Sequence, residues 1–162
     1  MSRKLEDLHP EMLWHTKLFL EEAEKRNLDV LVYSTLRPAR EQAKLYRRGR
    51  SISSITRKAD ELHNVWRRPD LGDLLMAVGP QYGDLVTNAG PGQSLHNYGL
   101  AFDAVPVVNG DLVWKSNREE WETYAECVRA AGLDWGGDWS GMITDKPHAQ
   151  QMAADWRKLI HG

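Results

Sequence analysis

Ser94 to Val105 reads SLHNYGLAFDAV, and the rest of the chain is best understood from it. From Gly99 onward the residues are apolar except Asp103: Leu100, Ala101, Phe102, Ala104 and Val105. That is the pattern of a buried strand. A carboxylate in the middle of such a strand is costly unless its charge is compensated, and a metal ion would compensate it. His96 stands seven positions before Asp103. Seven residues of unbroken strand would put the two side chains on opposite faces, so a shared ligand role requires a turn at Gly99. A third candidate lies downstream in TDKPHAQ (144–150), where His148 follows Asp145 by three positions. Two imidazoles and one carboxylate leave the fourth position of a tetrahedral zinc open, as catalytic sites require. A further carboxylate nearby can then accept a proton from water.

The bulk numbers suit one soluble domain spanning 1–162 with a single core: 41% hydrophobic residues, 27% charged, and a formal net charge of −2. That balance supplies no field toward nucleic acid or an anionic membrane. The basic cluster Arg47, Arg48, Arg50 reads as a solvated helix end. Cys127 is the single cysteine, which excludes an internal disulfide and cysteine-rich zinc fingers. The opening MSRKLEDLHP carries no apolar core segment, so no secretory signal is expected. No apolar run approaches the roughly 18 residues of a membrane span. A protein made in a reducing cytosol, with no stable membrane association, is the expectation. Of the seven tryptophans most are expected in the core.

In chain order, 9–26 reads as an amphipathic helix with Pro10 at its first position and Met12, Leu13, Phe19, Leu20 and Ala23 inward. His9 and His15 there lack metal-ligand spacing and read as structural or solvent-facing. LDVLVYST (28–35) is a strand. It leads to a helix between Pro38 and Gly49, which puts Arg37 at a strand-to-helix junction. Residues 51–83 read as an inserted helical lobe, capped by Ser53 or Ser54 and interrupted at Pro69. DLVTNA (84–89) reads as a short strand. Asn109-Gly110 between apolar runs signals a hairpin. Ser116 with Glu119 reads as a capping box opening a helix that Gly132 closes. Within it, Cys127 reads as a small buried hydrophobe. The last helix lies in MAADWRKLIHG. The order of elements predicts an α+β domain on a small antiparallel sheet with helices packed around it.

Three features together resemble a known family. Ser94, His96, Gly99 and Asp103 match its first motif, and Asp145 with His148 matches its second. Arg37 after the first strand, with Gln42 on the following helix, matches a third feature. The chain resembles the zinc peptidases that include D-alanyl-D-alanine carboxypeptidases and the L-alanyl-D-glutamate peptidases of phage endolysins and bacterial wall enzymes. The hedgehog signalling domain shares their fold. The resemblance covers roughly 28–50 and 84–150; the insert 51–83 lies outside it.

The resemblance implies that His96, Asp103 and His148 hold zinc. It implies that Asp145 is the general base, and that Arg37 polarises the scissile carbonyl and stabilises the oxyanion. Ser94 would support the site or touch substrate with Gln42, and Trp135 and Trp139 would form a cleft wall. An aspartate at 145 rather than a glutamate, with WGGDW (135–139) just before it, points within the family to the L-alanyl-D-glutamate group. The substrate implied is the peptidoglycan stem peptide. A monomeric phage endolysin is implied, held in the host cytoplasm until a holin opens the membrane and then acting on the cell wall. Two alternatives stay open. One is a D,D-carboxypeptidase or dipeptidase. The other is a binding module whose zinc is structural.

Overall fold

The computed structural model describes residues 1–140 and 144–162. The chain packs as two compact units. The first comprises 1–36 and 99–154; the second comprises 37–98 and 155–162.

In the first unit, helix α1 (Pro10–Lys25) begins where expected, and the His9 ring accepts from the Glu11 amide. It buries Met12, Thr16, Phe19 and Ala23. Strand β1 (Asp29–Ser34) follows, then β2 (Ala101–Val108) and the two-residue β3 (Asp111–Leu112) across the Asn109-Gly110 hairpin. Helix α5 (Glu120–Ala130), β4 (Leu133–Trp135) and β5 (His148–Gln151) complete the unit. The sheet is antiparallel, in the order β1-β2-β5-β4, with β3 paired to the end of β2. The core forms where α1 and α5 meet the sheet. Phe19 lies 5.0 Å from Phe102 and 5.1 Å from Tyr124, ring centre to ring centre. Trp121, Tyr124, Val128 and Cys127 fill in behind. His9 and His15 are structural: the His15 Nδ1 lies 2.7 Å from the Ala131 carbonyl.

Gly99 has φ +68°, a left-handed turn just ahead of β2. A Cβ there would lie 2.8 Å from the His9 amide nitrogen, which donates to the Gly99 carbonyl. Only glycine satisfies both the dihedral and the contact.

The second unit is helical: α2 (Ala39–Arg47), α3 (Ile52–Asn64), α4 (Pro69–Ala77) and the short α6 (Trp156–Leu159). Ala43, Tyr46, Ile55, Ala59, Leu62, Leu71, Leu75 and Ile160 make its core. The insert 51–83 is therefore the α3–α4 pair, packed on α2 and α6.

Four expectations need correction. Residues 84–89 form no strand. Their carbonyls go to side chains, Thr87 to Arg50 (2.6 Å) and Ala89 to Gln42 (2.8 Å), and Leu85 and Val86 are exposed. The α3 cap is Ser51, whose hydroxyl accepts from the Ser54 amide, rather than Ser53 or Ser54. Ser116 and Glu119 form no capping box; α5 starts at Glu120, where Arg118 pairs with the Glu120 carboxylate. Arg47 is buried rather than solvated and donates to the Leu75 and Met76 carbonyls at the end of α4. Arg50 packs over the Tyr46 ring. Of the tryptophans, Trp121 and Trp135 are buried, Trp66 and Trp156 pack partly buried against the second unit's core, and Trp14, Trp114 and Trp139 are exposed. No helix among the described residues is long and apolar enough to cross a membrane.

Candidate metal centre and active site

Sheet register builds half of the site. Asp103 stands opposite Ser34 on β1 and opposite His148 on β5. The β1–β2 register slips between Val32 and Ser34, beside Asp103. Such bulges re-aim side chains next to functional sites. Both Asp103 and His148 are buried. The His148 Nδ1 lies 3.2 Å from Asp103 Oδ1, and its Nε2 lies 2.9 Å from Gln150 Oε1. Burial works to lower the His148 pKa. The Asp103 carboxylate, with help from Asp145 and Gln150, outweighs it and raises the imidazole above its usual range.

Asp145 precedes His148 in a tight turn, its carbonyl accepting from the His148 amide. The Asp145 amide donates to the Gly136 carbonyl at 3.0 Å. Here the paired glycines of WGGDW find their reason. A Cβ at Gly136 would lie 2.3 Å from the Asp145 carbonyl oxygen and 3.1 Å from the His148 Cβ. Trp135 is buried, and its indole donates to the Lys146 carbonyl at 2.7 Å, steadying the same turn. Trp139 is 38% exposed with its ring centre 5.0 Å from that of His148. Gly136→Ala must push the 145–148 turn outward. We expect it to slow hydrolysis roughly a hundredfold, the scale of a 1 Å misplacement. Steady-state kinetics checks this, and an unchanged rate would mean that the turn's position does not matter.

In the second unit, His96 lies in a short 3₁₀ turn, Leu95–Tyr98, and is buried. Ser94 caps that turn, its hydroxyl accepting from the His96 amide. The Arg37 amide donates to the His96 carbonyl at 2.9 Å, and the Asn97 side chain donates to the Arg37 carbonyl at 2.8 Å. The Arg37 guanidinium donates to Gln42 Oε1 at 2.9 Å. Gln42 is fully buried and its amide holds the Ala89 carbonyl. Gln42 thus orients Arg37, and Ser94 shapes the turn that carries His96. Asn97 and Gln150 are contributors that sequence reasoning missed. Gln150 was in principle findable, because i and i+2 share a strand face.

One donor atom from each of His96, Asp103 and His148 lies within 4.8 Å of the others, a group that can hold a metal ion. The donor set is two imidazoles and a carboxylate, the chemistry that zinc takes in open catalytic sites. The 3.2 Å between His148 Nδ1 and Asp103 Oδ1 is close to the edge of a tetrahedron with bonds of about 2.0–2.1 Å. The residues fit a metal on both counts.

Residues 87–151 match the family model described as D-alanyl-D-alanine carboxypeptidase, a span that includes His96, Asp103, Asp145 and His148. Over these residues the chain is similar to that peptidase family. Among particular relatives, it is 28% identical over 154 residues to the peptidoglycan L-alanyl-D-glutamate endopeptidase CwlK of Bacillus subtilis, covering 90% of this chain and 74% of that protein. It is 33% identical over 67 residues to an L-alanyl-D-glutamate peptidase of a Listeria phage, covering 39% of this chain and 24% of that one. Among solved structures, the vancomycin-resistance D,D-pentapeptidase VanY, a complex with Zn(II), aligns with TM-score 0.50 at 17% identity. That alignment covers 96% of this chain and 79% of that one. The Serratia marcescens L-Ala D-Glu endopeptidase ChiX aligns with TM-score 0.49 at 19% identity, covering 91% of this chain and 83% of that one. The VanY likeness is one of fold, and it agrees with the α+β architecture read from the sequence.

Proposed function

We propose that this chain is a zinc endopeptidase that cleaves the L-Ala–D-Glu bond of peptidoglycan stem peptides. The observation that carries the reading is the grouping of His96, Asp103 and His148, with Asp145 in the turn before His148. The relative that spans nine-tenths of the chain is named for that bond. A zinc ion held by the three side chains supplies Lewis acidity to the hydrolysis.

The chain's own residues do the rest. Asp145 accepts a proton from the attacking water and delivers it to the amine that leaves when the C–N bond breaks. Arg37, oriented by Gln42, donates to the oxygen that gains charge as the carbonyl is attacked. Trp139, exposed beside His148, is a wall against which the stem peptide packs. The role proposed is that of an endolysin, monomeric, made in a host cytoplasm and released to the wall by a holin. The phage source of one relative supports the phage origin in this reading.

A second reading has its own support, since the matching family model is described as a D-alanyl-D-alanine carboxypeptidase. Digestion of purified peptidoglycan, analysed by mass spectrometry, separates the two. Fragments ending in muramyl-L-alanine, with new amino termini on D-glutamate, are expected. Free D-alanine would establish the second reading instead, and new reducing sugar ends would overturn both.

A further inference from the structure

We propose that Gln150 is a positioning residue of the metal site, which commits one nitrogen of His148 to the cation. The inference rests on the reading of His96, Asp103 and His148 as ligands. An imidazole binds a metal only through an unprotonated nitrogen, and the other nitrogen's hydrogen bond decides which one that is. The two ring nitrogens of His148 face different groups. Its Nδ1 faces Asp103 Oδ1 at 3.2 Å, and its Nε2 faces Gln150 Oε1 at 2.9 Å. The amide oxygen of glutamine only accepts, so the Nε2 proton stays between His148 and Gln150. That leaves the Nδ1 lone pair on the side of Asp103, the other ligand.

Strand geometry explains why Gln150 has this place. His148 and Gln150 are two apart on β5 and therefore point to the same face. The Gln150 backbone is held on both sides, opposite Ala101 on β2 and Asp134 on β4. The acceptor therefore sits on paired backbone rather than on a loop, and it fixes the ring's rotation as well as its tautomer. A glutamine does this without adding charge to a site that already contains Asp103 and Asp145.

The test is a zinc competition titration of metal-stripped protein, with Gln150→Leu and Gln150→Glu beside the unmodified chain. It is read together with long-range proton–nitrogen NMR of histidine-labelled, zinc-loaded protein. Gln150→Leu should bind zinc about ten- to a hundredfold more weakly, the usual cost of losing such a partner. Gln150→Glu keeps an acceptor and should bind at least as tightly as the unmodified chain. The NMR spectrum should show His148 protonated on Nε2 and metallated on Nδ1. A Gln150→Leu affinity within twofold of the unmodified protein, or zinc on Nε2, overturns the inference while leaving the metal site intact. No zinc uptake by the unmodified chain sinks the metal reading itself. Should Gln150→Leu fail to fold, the NMR assignment on the unmodified chain still decides.

Discussion

Asp145→Asn is expected to abolish stem-peptide hydrolysis while leaving bound zinc unchanged. Asparagine keeps the shape of the side chain but cannot take a proton. Backbone contacts help to place residue 145, with the Gly136 carbonyl and the His148 amide, and these survive the substitution. What is lost is proton transfer, typically worth about 10²- to 10⁴-fold. Turnover on purified muropeptides, measured beside zinc content per chain, checks both halves of the expectation. If the variant hydrolyses at the unmodified rate, another group is the base. If the unmodified protein carries zinc and cleaves nothing, the binding-module reading stands and Asp145 has no catalytic role.

His148→Ala should have the largest combined effect. It removes a ligand, so zinc retention and hydrolysis should both fall to background. It also removes one partner of Asp103, a carboxylate that is only 9% exposed in the middle of an apolar strand. Breaking a buried pair while leaving its charge behind costs about 3–5 kcal/mol. Urea denaturation of the metal-stripped variant, set against the metal-stripped unmodified chain, isolates that cost. Loss of activity without loss of zinc would assign His148 a role other than ligation.

The cluster of His96, Asp103 and His148 was legible because its parts are chemically distinctive. A lone carboxylate in LAFDAV (100–105) demands compensation, and the glycine between His96 and Asp103 allows the turn that the structure shows at φ +68°. The Asn109-Gly110 hairpin and the apolar face of α1 were legible for similar local reasons. The errors arose where distant side chains decide the backbone. Residues 84–89 look like a strand, but Arg50 and Gln42, some 40 positions away, hold their carbonyls. Arg47 looks like surface charge, yet the carbonyls at the end of α4 draw it inward. Ser116 and Glu119 have the spacing of a cap, but the Arg118–Glu120 pair accompanies a helix that starts later. Gln150 and Asn97 escaped notice because an amide has no chemistry of its own to announce. Each matters only through the neighbour it touches.

The most direct measurement strips the protein with a chelator and returns zinc in steps while wall-fragment release is followed. The account predicts an inactive metal-free protein, with activity rising linearly and breaking at one zinc per chain. Full activity in protein shown to be free of metal would contradict it.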